Sequence, residues 1–131
     1  LIKAIGSPHV GLALDSWNWH FGGGTVELLQ SLGANHVFTF SIADAAAATT
    51  LEGLTDEQRI LPCEDGVVEI VPMLEVLRDA SFSGPVTLAP HPTCFKDKQR
   101  DAVMEECRAV FDGLWSAAEL SKSTKMASAD T

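Results

Sequence analysis

Polar side chains able to bind or transform a small molecule follow three short apolar segments of this chain. Asp15 ends the first segment, Ser41 lies near the end of the second, and His91 follows the third. His20 comes shortly after Asp15. Carboxylate and imidazole groups ligate divalent metals and carry protons, which makes these residues candidates for a metal or acid–base site. The alternatives are that Asp15 caps a helix, that His20 packs against its aromatic neighbours, and that His91, between two prolines, stiffens a loop.

Two further residue types suit the binding of a small ligand. Arg59 lies in a long polar segment and either pairs with a nearby acid, such as Asp56 or Glu64, or donates hydrogen bonds to a ligand. Trp17 either stacks on the face of a ligand or packs at the rim of the fold, and the same holds for Trp19. The sequence leaves both pairs of alternatives open.

Alternating strand and helix patterns must position these residues. Short runs of apolar and β-branched residues predict strands at 10–15, 37–43 and 86–89. Apolar residues at helical spacing predict helices at 25–32, 68–80 and 96–120, after a helix end at 1–5 that stops at Gly6. We predict a flexible loop between the first strand and the helix at 25–32. Its glycines at 22–24 lack the fingerprint of a phosphate-binding turn. A loop of about twenty residues follows Asp44, and loops of that length are usually functional or disordered.

The order β-α-β-α-β-α predicts an α/β fold with parallel strands and right-handed crossovers. Alternation along the strands places large residues on one face: Leu12, Leu14, Phe38, Phe40, Ile42, Val86 and Leu88. Small residues occupy the other face: Gly11, Ala13, Thr39, Ser41, Ala43, Thr87 and Ala89. Small residues facing inward are typical of a closed barrel or of a tightly covered sheet. Three parallel strands cannot close into a (β/α)8 barrel, which needs about 250 residues.

Four segments carry a resemblance to a known family: 11–17 (GLALDSW), 42–45 (IADA), 56–66 (DEQRILPCEDG) and 84–88 (GPVTL). Their order and spacing resemble the sugar phosphate isomerase/epimerase family of xylose isomerase-like TIM barrels. The resemblance is to the C-terminal half of that fold and covers residues 1–120. It implies an α/β fold that is a partial TIM barrel of about three parallel βα units. It implies a metal-dependent enzyme, using Mn²⁺, Mg²⁺, Co²⁺ or Zn²⁺, that interconverts ketoses, aldoses or inositol derivatives by proton transfer.

The resemblance also implies roles for individual residues. The metal-ligating Asp of the family is matched by Asp15. The His that the family has three positions later is Asn18 here. The His ligand of the next strand is Ser41, and the Glu that serves many members as ligand and base is Ala89. Alanine cannot ligate a metal or accept a proton, so no residue is assigned as the catalytic base. The resemblance thus implies a divalent metal that this chain either retains or has lost.

The resemblance also implies which residues contact the substrate. The loop Arg of the family is matched by Arg59. The residues expected to contact a small sugar or sugar phosphate are Trp17, His20, Arg59 and His91. Without the metal, these residues would make a carbohydrate-binding or regulatory protein rather than an isomerase.

The composition excludes several other classes of protein. Eighteen acidic and nine basic residues give a net charge of −9, which argues against binding to nucleic acid. No apolar run is long enough to cross a membrane. Three cysteines without a C-x-x-C pair favour a reduced, cytoplasmic protein.

The first and last residues suggest how the chain is organised. It starts in the last turn of a predicted helix without an initiator Met, so we expect residues 1–120 to be part of a barrel and 121–131 to be a flexible polar tail. The open edges of a parallel sheet favour association, so the expected partner is an N-terminal half or a second copy. A small α/β domain that self-associates is therefore a third possible function.

Overall fold

The computed structural model describes residues 1–120, so the tail predicted at 121–131 lies outside the described residues. The elements are α1 (Ile2–Ile5), β1 (Leu12–Asp15), α2 (Ser16–Phe21), α3 (Val26–Leu32), β2 (Val37–Ile42), α4 (Ile70–Asp79), β3 (Val86–Leu88) and α5 (Arg100–Ala117). Single 3-10 turns occur at Ala34–His36, Asp56–Gln58 and Pro92–Phe95. The three strands and the helices between them confirm the predicted alternation.

Local signals explain where the helices start and stop. Gly6 ends α1 in the left-handed conformation, with φ of 66°, which costs glycine little. The Thr25 hydroxyl caps α3 by accepting a hydrogen bond from the Leu28 N–H at 3.1 Å. Pro72 lies in the first turn of α4. Backbone N–H groups in a first turn have no acceptor within the helix, so the N–H that proline lacks is not needed there.

The three strands form one parallel sheet in the order β1-β2-β3. Asp15 of β1 lies beside Ser41 of β2, and Ser41 lies beside Thr87 of β3. The carboxyl ends of all three strands therefore meet at one edge, as the βα order predicts. The sheet does not close on itself within residues 1–120.

The core lies between the sheet and the helices that follow β1 and β2. Leu14, Phe40 and Ile42 point to this side and are 2%, 0% and 0% exposed. They belong to one cluster with the buried residues Leu29 of α3 and Met73, Leu74 and Leu77 of α4. We call this side of the sheet the helix face. Ala13, Thr39, Ser41 and Thr87 lie on the opposite side, which we call the open face, and they are half-buried or exposed.

One prediction about the two faces is wrong. Phe38 was expected on the same face as Phe40, but it is 42% exposed while its neighbour Val37 is buried. The register shifts here, because Leu12 pairs with Val37 and Ala13 pairs with Thr39, so Phe38 is an extra residue in β2. Such a bulge reverses the alternation at that point and turns Phe38 to the open face. Its ring lies where a Cβ at Gly11 would be, so a larger residue at position 11 would force the Phe38 ring to move.

The structure also corrects two element predictions. The segment after Asp15 is the helix α2 up to Phe21, and only the turn that follows it contains the glycines at 22–24. The last helix begins at Arg100 rather than at residue 96, after the 3-10 turn Pro92–Phe95. Among residues 1–120, no helix is long and apolar enough to cross a bilayer.

Candidate functional site

The site begins where β1 passes directly into α2. Asp15 is the last residue of β1 and the N-cap of α2, and its Oδ1 accepts a hydrogen bond from the Asn18 N–H at 2.9 Å. A carboxylate in this position satisfies one of the free N–H groups of the helix start. The capping interpretation of Asp15 is therefore correct for one of its two oxygens.

The second oxygen of Asp15 is paired with Arg59. The Arg59 Nη2 contacts Asp15 Oδ2, and both side chains are largely buried, with 13% and 16% exposure. The Arg59 Nε–H donates a hydrogen bond to the Ala89 carbonyl at 3.2 Å. One guanidinium thus joins the ends of β1 and β3 across the carboxyl edge of the sheet. Sequence reasoning proposed Asp56 or Glu64 as acidic partners for Arg59, but the fold brings Asp15 to it instead.

Trp17 lies against this guanidinium. The Arg59 Cζ is 5.0 Å from the centroid of the Trp17 ring, which is within the range of a cation–π contact. Trp17 is only 5% exposed and packs edge-on against Phe21, with ring centroids 4.9 Å apart. Its indole N–H has no acceptor among the described residues. The structure therefore places Trp17 under Arg59, where it supports the guanidinium and is covered by it.

A row of oxygen-bearing side chains extends from Asp15 across the open face. The register places Asp15, Ser41 and Thr87 side by side on the three strands. Ser41 is half-buried and Thr87 is exposed. Ala89 lies just past this row, and its N–H donates to the Ile42 carbonyl at 2.8 Å. The carboxyl edge thus carries a carboxylate, two hydroxyls and a guanidinium, but the methyl group of Ala89 offers no acid or base.

The structure does not bring the two candidate histidines, His20 and His91, together. The His91 N–H donates to the Arg59 carbonyl at 2.9 Å, so His91 borders the site through its backbone. Its ring caps the turn Pro92–Phe95, where Nδ1 accepts from the Thr93 N–H at 3.3 Å. His20 lies elsewhere, on α2 beside Val68, Glu69 and Met73, with its ring 4.8 Å from that of Phe21.

Ser16 and Asp44 organise the site, although neither was assigned a role from the sequence. Ser16 is fully buried, and its hydroxyl donates to the Ala43 carbonyl at 2.7 Å and accepts from the Ala43 N–H at 3.0 Å. Asp44 is 3% exposed and accepts hydrogen bonds from the backbone N–H groups of Ala45, Cys63 and Val68. Their signal in the sequence is weak, since each is only a small polar residue next to the end of a predicted strand.

The residues at this edge do not form a metal site by themselves. Within residues 1–120 no three His, Cys, Asp or Glu side chains lie close enough to hold a metal ion. Both oxygens of Asp15 are engaged, one by a backbone N–H and one by the Arg59 cation. A divalent ion at Asp15 would face that positive charge and would have Ser41, a poor ligand, on its other side.

The cysteines lie outside the row of oxygen-bearing groups. Cys63 is exposed, and the Cys94 thiol donates to the Arg59 carbonyl at 3.4 Å. Burial raises the pKa of the Cys107 thiol on α5, and the neighbouring Glu106 carboxylate raises it further. Cys107 is therefore a weaker nucleophile near neutral pH than an ordinary thiol.

Comparisons of the sequence with known proteins find one family along most of the chain. A family model described as a xylose isomerase-like TIM barrel matches residues 1–112. The inosose isomerase of Bacillus velezensis is 28% identical over 88 residues, which cover 67% of this chain and 31% of the relative. That of Bacillus subtilis is 26% identical over 113 residues, which cover 86% of this chain and 40% of the relative.

Solved structures agree with this result. The IolI protein with a bound zinc atom superimposes with a TM-score of 0.75 at 25% identity, covering 88% of this chain and 41% of that one. A xylose isomerase domain protein from Alicyclobacillus acidocaldarius gives a TM-score of 0.72 at 30% identity, covering 89% and 41%. This chain therefore spans less than half the length of the relatives it matches, and its sheet is part of a TIM barrel, as predicted.

Proposed function

Since this chain belongs to the xylose isomerase-like TIM barrel family, we propose that it binds a small, sugar-like polyol at the carboxyl edge of its sheet. The observation that carries the proposal is the position of Arg59, which is joined to Asp15 and to the Ala89 carbonyl above Trp17. Ligand sites of TIM barrels lie at this edge of the strands.

The polar groups at the carboxyl edge are suited to bind a ligand that carries hydroxyl groups on adjacent carbons. A guanidinium has five N–H donors, and two of those of Arg59 are used by Asp15 and Ala89 in the described structure. A hydroxyl group accepts from a guanidinium and donates to a carboxylate, so adjacent hydroxyls can bridge Arg59 and Asp15. Ser41 and Thr87 continue the same row with groups that both donate and accept.

The names of the relatives suggest the class of ligand. Two relatives are inosose isomerases, so we infer a cyclic polyol ketone such as an inosose as the ligand. An open-chain ketose is also a polyhydroxy ketone, and a sugar phosphate adds a phosphate group to a polyhydroxy carbonyl compound. Both are further ligands to test. The reaction that such a ligand undergoes in an isomerase is the transfer of a proton next to its carbonyl.

We infer that residues 1–120 contribute ligand binding and not the base for this proton transfer. Ala89 has no titratable group, and the Asp15 carboxylate is held by Arg59 and the Asn18 N–H. The base, and the ligands of a divalent metal if the protein uses one, would then come from outside these residues. The partner in this proposal is the rest of such a barrel or a second copy that covers the open face. Three unpaired cysteines suit a reducing, cytoplasmic setting for it.

Binding can be tested by titrating the full chain with inosose in a calorimeter. Replacing Arg59→Met keeps much of the side-chain volume and removes the donors, so we expect the Kd to rise about 10- to 100-fold. Arg108→Met is the matched control, because Arg108 is 74% exposed on α5. Cyclohexanol, a similar ring with one hydroxyl, should not bind measurably. Equal affinity of inosose for both variants would overturn the proposal.

The catalytic alternative is tested separately by incubating inosose with the chain in deuterated water. Proton transfer next to the carbonyl exchanges that hydrogen for deuterium, which NMR detects in the ligand. We expect binding without exchange by this chain. Deuterium incorporation above the rate in buffer would show that the chain holds its own base and would place it among the isomerases. Binding without exchange would show that this chain, taken alone, is a carbohydrate-binding protein that does not catalyse the proton transfer.

A further inference from the structure

The buried carboxylate of Asp44 lies at the start of the long loop that carries Arg59. Its Oδ1 accepts from the Ala45 N–H at 2.8 Å and from the Val68 N–H at 3.0 Å, and its Oδ2 accepts from the Cys63 N–H at 3.3 Å. One side chain thus binds the first residue of the loop, a residue late in it, and the residue where it joins the approach to α4. Buried carboxylates are costly unless satisfied in this way, and hydrogen bonds to charged groups are stronger than neutral ones.

The backbone of Asp44 adds a second link to the middle of the loop. The Asp44 N–H donates to the Ile60 carbonyl at 2.8 Å, and the Ile60 N–H donates to the Asp44 carbonyl at 3.0 Å. Arg59 is the residue before Ile60, and its own N–H donates to the Asp56 carbonyl at 3.1 Å. Asp44 therefore fixes the main chain within one residue of the guanidinium that reaches Asp15.

We propose that Asp44 is a positioning residue for Arg59: its carboxylate holds loop 45–67 closed so that the guanidinium stays joined to Asp15 and Ala89. Its consequence for ligand affinity rests on the proposed function, but its effect on Arg59 does not. Because only the closed loop presents Arg59, the apparent Kd depends on the fraction of molecules in which the loop is closed.

Gly66 supports the same conclusion from the other side of the loop. A Cβ at this position would overlap the Asp44 carboxylate. The backbone of the loop approaches the carboxylate this closely because residue 66 is a glycine. A carboxylate that only neutralised a helix end or contacted solvent would not need such close backbone approach. The two residues thus form one latch, which we define as Asp44 and Gly66.

The first test follows Arg59 itself by NMR, without any ligand. In the wild-type full chain the Arg59 Nε–H should give a protected signal, because it donates to the Ala89 carbonyl, and Arg59→Lys identifies the signal by removing it. Asp44→Asn replaces one acceptor oxygen by an amide donor facing backbone N–H groups. We expect at least about a tenfold loss of protection of this signal, from the cost of an unsatisfied donor. Unchanged protection in a folded Asp44→Asn variant would overturn the proposal.

Gly66→Ala keeps Asp44 and disturbs the latch sterically, so it tests the proposal if Asp44→Asn fails to fold. We expect Arg59 Nε–H protection to fall in Gly66→Ala and to stay unchanged in Gly113→Ala. Gly113 is the matched control, since a Cβ there meets no atom within 4 Å. Full protection in Gly66→Ala would contradict the latch.

A double-mutant cycle then connects the latch to ligand binding. If Asp44 acts through Arg59, Asp44→Asn weakens inosose binding in the wild-type background and has no further effect in Arg59→Met. Equal weakening in both backgrounds would show a general structural effect and overturn the positioning role. If inosose does not bind the wild type at all, the proposed function fails, while the NMR result still decides the role of Asp44.

Discussion

The two faces of the sheet are built from the same three strands but differ in what they contact. The helix face buries Leu14, Phe40 and Ile42 to 2% exposure or less. On the open face, Phe38 remains 42% exposed, and Ser41 and Thr87 keep hydroxyl groups within reach of solvent. The helix face therefore supplies stability within this chain, whereas the open face holds the polar row of the proposed ligand site.

This difference teaches that stability and binding are separable in this chain. Apolar burial scales with the area removed from water, and most of that area lies on the helix face. A substitution in the polar row of the open face should change ligand affinity more than the free energy of unfolding. A substitution on the helix face should change the free energy of unfolding more than ligand affinity. The predictions below test this division, from the largest expected loss of stability to the smallest.

Phe40→Ala should be the most damaging. The side chain is fully buried at the centre of β2, so its removal leaves a cavity among α3, α4 and the sheet. We expect a loss of about 3–5 kcal/mol in the free energy of unfolding, measured in urea. A loss below about 1 kcal/mol would mean that the helix face is not the main source of stability.

Ser16→Ala should rank second. Its hydroxyl satisfies both backbone groups of Ala43 at the point where α2 meets the end of β2. Removing it leaves a buried N–H and a buried carbonyl unpaired, which should cost about 1–3 kcal/mol in the free energy of unfolding. Ser31→Ala is the control, because the Ser31 hydroxyl makes a comparable bond to Leu28 on an exposed surface. Equal losses in the two variants would contradict the importance of burial.

Phe38→Ala makes the sharpest comparison with Phe40→Ala, since both change a phenylalanine of β2. The Phe38 ring is only partly buried on the open face, so we expect a loss of about 1 kcal/mol in urea unfolding. If Phe38→Ala cost as much as Phe40→Ala, the bulge would not have turned Phe38 out of the core.

Thr87→Val should have the smallest effect on stability and still affect binding. Thr87 is exposed, and valine has nearly the same shape, so the free energy of unfolding should stay within about 0.5 kcal/mol. Loss of one hydroxyl from the polar row should raise the Kd for inosose about two- to tenfold in calorimetry. Unchanged affinity would remove Thr87 from the proposed site and narrow it to Asp15, Ser41 and Arg59.

Some features of the fold and site followed from local sequence. The Gly6 stop and the parallel orientation of the strands follow from patterns of residues close together in the chain, and both are confirmed. Asp15 was predicted at a strand end because an apolar run stops there. The bulge at Phe38 was missed, since alternation read from the sequence assumes one residue per pair along both strands.

The sequence by itself determined the three strands, their parallel orientation, most of the helices, and the types of polar residue at the carboxyl ends of the strands. Only the tertiary structure decided that Arg59 pairs with Asp15 and that Trp17 lies beneath the guanidinium. It also decided that the buried Asp44 carboxylate accepts hydrogen bonds from N–H groups at both ends of the long loop. Helix caps and strand patterns arise from interactions over a few residues. The Arg59–Asp15 pair spans 44 positions and depends on how a long loop closes, which no local pattern specifies.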